Sequence, residues 1–170
     1  MFADGFIMIF KAIEFAAKAH AGQYRKGTGI PYITHPLNVA KILIECKCRE
    51  PVVSAGILHD TLEDTRVTGD DLITLFGLEV FEFVNAVSEP NKSDYTWENR
   101  KWHTIKRLKE ASPEVLTISL ADKSDNIQAI CDDYEILGDG VWKRFNRPKE
   151  KQKWYYETLV AVFSERLPEA

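Results

Sequence analysis

Apolar residues recur along this chain at the three- and four-residue steps of amphipathic helices. Phe6, Ile9, Phe10, Ile13, Ala16 and Ala17 mark a first helix from Phe6 to Ala19, which Gly22 ends. Gln23 to Thr34 holds Gly27, Gly29 and Pro31 beside Arg25 and Lys26, and reads as a loop. Pro36 opens a second helix to about Cys46, because proline's missing N–H costs nothing at the first helical position. His35 then falls at the cap, with its imidazole aimed out of the helix end. Pro51 starts a third helix through Ala55, Ile57, Leu58 and Leu62 to Asp64. Thr68 with Asp70 and Asp71 reads as the cap of a short fourth, and Gly77 separates it from Leu78 to Val87.

Pro90 to Tyr95 is polar and breaker-rich, a second loop, after which Thr96 caps a helix through Trp97, Lys101, Ile105 and Leu108. Ser112-Pro113 introduces a long helix from Glu114 to about Ile136. It carries Asp122 directly behind the largely apolar run Val115 to Ala121, where a carboxylate needs a partner. Gly138-Asp139-Gly140 makes a turn, Arg144 to Arg147 a short connection, and Pro148 opens a last helix through Trp154, Tyr155, Leu159 and Phe163. There are no repeats and no alternating strand pattern, so the expected fold class is all-α, a bundle of seven or eight helices.

Composition narrows this further. With 170 residues, 45% of them apolar, one compact domain over residues 1–170 is expected. A net charge of −4 and a pI of 5.6 exclude coating of polymeric nucleic acid or of a membrane by bulk electrostatics, though not a local basic pocket. The apolar stretch Gly5 to Phe10 has no basic residue before it, is soon interrupted by Lys11 and Glu14, and is too short to span a bilayer. Cys46, Cys48 and Cys131 form an odd set in a chain long enough to fold unstapled, so a reducing, cytoplasmic setting is expected. Cys46-x-Cys48 lacks the second pair that zinc needs nearby. A homo-oligomer is compatible with all of this.

The candidate chemistry is concentrated in three places. His59 and Asp60 are adjacent, and Glu63 and Asp64 follow each by four residues, so all four share about a turn of one helix edge. Charges crowded this way after the apolar run Val52 to Leu58 repel, and a bound cation removes the conflict. Imidazole with carboxylate suits manganese, iron, zinc or nickel rather than calcium. Asp122 and Asn126 share a second helix face, and His35 follows the Arg25-Lys26 loop. A lone His-Asp pair is ordinarily a solvated helix end, and a lone His35 a capping residue; only their combination argues otherwise. His20 and His103 read as structural. Trp97, Trp102, Trp142, Trp154, Tyr155 and Tyr156 at helical spacing are core before they are base-stacking partners.

Four stretches carry a resemblance: Ala19 to Lys26, Pro31 to Pro36, Gly56 to Thr65 and Leu120 to Asn126. In that order they resemble the hydrolase half of Rel/SpoT-type alarmone enzymes and the free-standing small alarmone hydrolases. The resemblance spans residues 19 to 126. It implies an all-helical HD domain with a divalent metal, Mn2+ in that family, that removes the 3′-diphosphate of ppGpp, a small nucleotide. It places the metal ligands on His35, His59, Asp60 and Asp122, water handling on Glu63 and Asp64, and nucleotide contacts on Arg25 and Asn126. The loop Arg25 to Pro31 is one residue longer than usual, so the phosphate role falls to either Arg25 or Lys26. Lys123-Ser124-Asp125 stands where the long enzymes carry a basic residue, an apolar one and often His, which bears on the substrate.

The mechanism implied is attack of activated water on the phosphorus next to the ribose 3′ oxygen, with Glu63 or Asp64 moving the proton. Arg25 and Lys26 are best placed for the diphosphate, with Arg144, Arg147 and Lys151 as further candidates against ordinary surface charge. The chain has no room for the synthetase and regulatory domains of the long enzymes, so hydrolysis alone is expected. The alternatives are another HD-domain nucleotide phosphatase, such as a 5′-nucleotidase or NADPH phosphatase, and a non-catalytic metal-bound nucleotide sensor.

Overall fold

A computed structural model of the chain describes residues 7–90 and 95–167. Gly5 and Phe6 of the opening stretch, and residues 91–94 of the second loop, lie outside the described residues. The helices are α1 (Ile7–Ala19), α2 (Thr34–Glu45), α3 (Glu50–Leu58), α4 (Thr61–Asp64), α5 (Gly69–Phe76), α6 (Leu78–Val87), α7 (Trp97–Glu110), α8 (Pro113–Leu137) and α9 (Lys149–Arg166), with a 3-10 turn at Gly138–Arg144. The fold is all-α. Every expected helix is present, the third in two pieces, and among the described residues the only β feature is an isolated bridge between Tyr24 and Pro31. No described helix is long and apolar enough to cross a membrane.

The centre of the bundle is α3. All of Val52 to Leu58 is buried, the pattern of a helix enclosed on every side, and α1, α2, α6 and α8 pack around it. Its approach to α2 is close at Gly56, where an added Cβ would lie 2.3 Å from Leu43 Cδ1 and 3.3 Å from Val39 Cγ1. Two apolar clusters result. The first joins α1, α2, α3, α5 and α6 to Ile118 and Ala121 of α8; the second joins α7 and α9 to Leu116 of α8. The long helix α8 is therefore common to both, and Asp122 follows the stretch where they meet.

Two expectations are corrected. The third helix does not run unbroken to Asp64, because side chains take its last carbonyls: His59 Nδ1–H donates to Gly56 O at 2.8 Å and the Thr61 hydroxyl to Leu58 O at 2.7 Å. Asp60 becomes the cap of α4, its carbonyl accepting from the Glu63 and Asp64 amides. Apolar spacing continues from Leu58 to Leu62 across this break, so periodicity cannot reveal it. Nor does His35 sit at a helix cap. The turn Pro31 to Thr34 already winds into α2, with the His35 amide bonded to Tyr32 O, which makes His35 the second helical residue. Its ring is 1% exposed and turned inward rather than out of the helix end.

The Gly56 contact yields a stability test. Gly56→Ala forces a methyl against the buried Leu43 and is expected to cost about 1–3 kcal/mol, seen as a fall of roughly 2–4 °C in thermal midpoint for each kcal/mol. Adding Leu43→Val makes room for the methyl, so the double variant should lose less than the sum of the single losses. Strict additivity would place the strain elsewhere.

Candidate metal centre

His59 stands at the α3–α4 break and His35 in the first turn of α2. Because a carbonyl oxygen only accepts, the His59 bond to Gly56 fixes the proton on Nδ1 and turns Nε2 inward. His35 is set the same way by Asp125, whose Oδ2 accepts from His35 Nδ1 at 2.6 Å. The two Nε2 atoms come within 3.3 Å of each other. Asp60 Oδ2 lies 2.9 Å from His59 Nε2 and 3.7 Å from His35 Nε2. Asp122 Oδ1 lies 3.2 Å from His35 Nε2 and 3.7 Å from His59 Nε2.

Three of these atoms, His35 Nε2, His59 Nε2 and Asp60 Oδ2, have edges that fit one ion, and Asp122 Oδ1 meets both rings without joining that group. Metal–nitrogen and metal–oxygen bonds of about 2.0–2.2 Å place neighbouring ligand atoms about 3.0–3.5 Å apart. The donor set, two imidazoles and two carboxylates, suits a divalent transition ion. His35, His59 and Asp60 already form a group whose ligand atoms lie within 4.8 Å of one another. The charge balance agrees. Burial disfavours charge on all these groups, yet the carboxylate of Asp60 and its hydrogen bonds, with those of Asp122, push the His59 ring well above its usual pKa. Asp60, resisting burial through His59, and Asp122, through Lys123 and the two histidines, are held low. The protein alone thus draws a proton into the place where two lone pairs and two carboxylates meet.

Around this set, Tyr32 donates its hydroxyl to Asp60 Oδ2, and Asn126 Nδ2 donates to Asp122 Oδ1. Lys123 Nζ holds Asp122 Oδ2 at 2.6 Å. Burial, and then the charge of Asp60, raise the Glu63 carboxyl to about 7. Glu63 Oε1 accepts from the Glu89 amide at 2.6 Å and faces the same cavity of about 220 Å³ as the two histidines, Asp60 and Asp122. Asp64 is placed differently: it lines a separate cavity with Phe15, Gln23 and Arg66, while its backbone carbonyl accepts from Gln23 Nε2.

Tyr32 and Asn126 also line a larger adjoining cleft of about 510 Å³ that contains Arg25, Lys26, Arg144 and Tyr156. Arg25 donates to Asn126 Oδ1 at 3.0 Å and stands 3.7 Å from Asp125. The bridge from Tyr24 to Pro31, with the Arg25 amide on Ile30 O, pins the base of that loop. Arg144 pairs with Asp133, and Lys26 Nζ bonds Asn146. The remaining cationic candidates are elsewhere. Arg147 binds Glu98 through two bonds of 2.9 and 3.1 Å, and Lys151 is exposed; neither lines the cleft. Trp97, Trp154 and Tyr155 pack on one another between α7 and α9 in the second apolar cluster, whereas Trp102, against Trp154, is 56% exposed. Trp142 lies against Phe145. His20 is buried and bonds Gln23, whereas His103 is exposed. All three cysteines are free.

Sequence reasoning did not identify the residues that hold the ligands in place. Asp125 looked like a departure, yet it orients His35 and accepts from Asn38 Nδ2 at 2.7 Å. Its spacing of three from Asp122 on α8 was the available signal. Tyr32 lies directly in the stretch leading to His35. Glu89, Arg100 and Lys101 reach the cavity from α7 and the end of α6, and nothing local in the sequence connects them to it.

Comparisons with known proteins point the same way. Residues 12–139 match the family described as HD domain. A guanosine-3′,5′-bis(diphosphate) 3′-pyrophosphohydrolase of Aquifex aeolicus is 39% identical over 123 residues, covering 72% of this chain and 18% of that protein. A GTP pyrophosphokinase of Myxococcus xanthus is 37% identical over 130 residues, 72% of this chain and 17% of its own. The chain thus spans less than a fifth of the length of these curated relatives. Among solved structures, lmo0812 from Listeria monocytogenes EGD-e superposes with a TM-score of 0.72 at 38% identity, covering 76% of this chain and 83% of that one. A metazoan ortholog of SpoT, described as hydrolysing ppGpp and acting in starvation responses, gives 0.69 at 26% identity over 95% and 96%.

Two outcomes are expected. Asp125→Ala frees the His35 ring and should weaken divalent-metal affinity by about 10- to 100-fold in calorimetric titration; unchanged affinity would remove Asp125 from the site. Glu63 bears on the metal-free protein. Its folded pKa lies above the ordinary 4.5, so its contribution to stability is complete below that value and lost as the pH rises through about 7. Thermal melts should therefore show Glu63→Gln gaining on the parent protein between about pH 5 and pH 8. A constant difference would mean that Glu63 is ionised throughout.

Proposed function

Because the chain belongs to the HD domain family, we propose that it is a metal-dependent phosphohydrolase that converts guanosine-3′,5′-bis(diphosphate) to GDP and pyrophosphate. The observation that carries this reading is the meeting of His35, His59 and Asp60, with Asp122 against both rings, in a cavity that adjoins a cation-bearing cleft of nucleotide size. The relatives named for this reaction match over the HD region, and the metazoan neighbour matches nearly end to end.

His35, His59, Asp60 and Asp122 would hold the ion; the donors suit a divalent transition metal, and we take it to be manganese from the resemblance to the alarmone hydrolases. Bound there, it supplies Lewis acidity that acidifies water and polarises a phosphoryl oxygen. The remaining steps belong to the chain. Arg25 and Lys26 bind phosphate from the cleft side, and Asn126 links Arg25 to Asp122. Glu63, with a carboxyl near 7, takes the proton of the attacking water and returns it to the ribose 3′ oxygen as the bond from that oxygen to phosphorus breaks. Asp64, one residue further on, supports the backbone around Gln23 in this scheme. We place the activity in the cytoplasm, in keeping with three free cysteines.

A second reading, phosphate release from a less highly charged nucleotide such as a 5′-monophosphate or NADPH, is favoured by one observation. The cleft pairs Arg25 with Asp125 and Arg144 with Asp133, so its cations come with acids attached.

Incubation of the purified protein and manganese with ppGpp, GTP, dAMP and NADPH, followed by chromatography, separates the two. GDP with pyrophosphate is the expected result, and orthophosphate from a monoester alone selects the second reading. Asp60→Ala and Asp122→Ala should lose both metal and turnover, while Glu63→Gln should keep the metal and lose about 10²–10⁴-fold in kcat. Retention of metal and turnover by both aspartate variants would sink the site.

A further inference from the structure

The inner wall of the metal cavity, away from the cleft, is built from groups that ligate nothing. Arg100 and Lys101 meet Glu89 there, and Lys123, paired with Asp122, lines the same cavity; the three side chains are only 14%, 16% and 20% exposed. Arg100 Nη1 and Lys101 Nζ reach the Glu89 carboxylate at 2.9 and 2.6 Å, and Thr104 adds its hydroxyl at 3.3 Å. Glu89 in turn carries the amide that binds Glu63.

Two cations, Arg100 and Lys101, share the single Glu89 carboxylate, while Lys123 is paired with Asp122. Burying an extra ammonium or guanidinium is costly unless an anion compensates it. Moreover, Arg100 Nε is buried with no acceptor, a loss that a ligand oxygen would reverse. The space fixes the class of ligand. At about 220 Å³ the cavity falls below the roughly 300–1,000 Å³ of pockets that take drug-sized molecules. It suits an inorganic anion, and the nucleoside belongs in the cleft.

We propose that Arg100, Lys101 and Lys123 form an inorganic-phosphate subsite that takes the terminal phosphate of the 3′-diphosphate and holds it in the pyrophosphate product. This rests on the phosphohydrolase reading above and extends it to the far side of the reacting phosphorus. The water oxygen forms the new bond to that phosphorus, the bond to ribose O3′ breaks, Glu63 carries the proton from the water to O3′, and the phosphate on the inner wall changes neither bonds nor oxidation state.

The test is calorimetric titration of the manganese-loaded protein with inorganic phosphate, with metal content read by atomic absorption. The parent protein should bind one phosphate. Arg100→Gln and Lys101→Met should each weaken that binding about tenfold or more with manganese content unchanged. Because these changes strip partners from Glu89, the double variant Lys101→Met/Glu89→Gln keeps the wall balanced, and it should show the same loss. Parent-like phosphate affinity in any of these folded, metal-loaded variants overturns the subsite, as does absence of phosphate binding in the parent. Weakened phosphate binding alongside a failure to release pyrophosphate from ppGpp would uphold the subsite and reject the substrate instead.

Discussion

Two hydrogen bonds, from His59 Nδ1 to the Gly56 carbonyl and from His35 Nδ1 to the Asp125 carboxylate, decide which nitrogen of each ring faces the cavity. With both protons held outside, the inward nitrogens are lone pairs lying 3.3 Å apart against two carboxylates. That arrangement is repulsive unless a cation occupies the centre. The break between α3 and α4 follows from the same bond, since the His59 ring occupies a carbonyl at the end of α3 and Asp60 restarts the chain as a cap. The orientation of the His59 ring is therefore set by the backbone, and that of the His35 ring by a side chain of α8.

A second constraint is the distribution of charge across the cavity. Acids and histidines lie at the junction of α2, α3 and α8, cations come from α7 and α8 on the inner wall, and the cleft holds near-balanced pairs. Glu63 lies between the first two groups, raised by burial and by Asp60 and tethered by the Glu89 amide. A carboxyl titrating near neutrality is suited to both halves of a proton transfer.

Much of this was legible in the sequence because it rests on local chemistry. Helix positions followed from apolar spacing and from Thr68, Thr96 and Ser112, each of which caps its helix in the structure. His35, His59 and Asp60 lie together in the fold, and Asp122 contacts both histidine rings without joining their group. The failures have a common cause. The split at His59-Asp60 is imposed by a hydrogen bond to the Gly56 carbonyl and the inward turn of His35 by one to the Asp125 carboxylate, while hydrophobic period runs through both points unchanged. Asp125, Tyr32 and Glu89 act across 90, 28 and 26 residues of chain, on His35, Asp60 and Glu63 respectively, and such distances leave no local trace. Arg147 illustrates the reverse case: a cation placed near the cleft by composition is committed to Glu98.

The position of α8 has a consequence for the molecule as a whole. Its first half supplies apolar residues to both clusters, and directly after them it carries Asp122, Lys123, Asp125 and Asn126. An ion bridging Asp122 to His35 and His59 therefore cross-links three segments distant in the chain and belongs to neither cluster alone. An ion held as proposed would bind the folded chain alone, so its concentration would set the stability of the α2–α3–α8 junction by mass action.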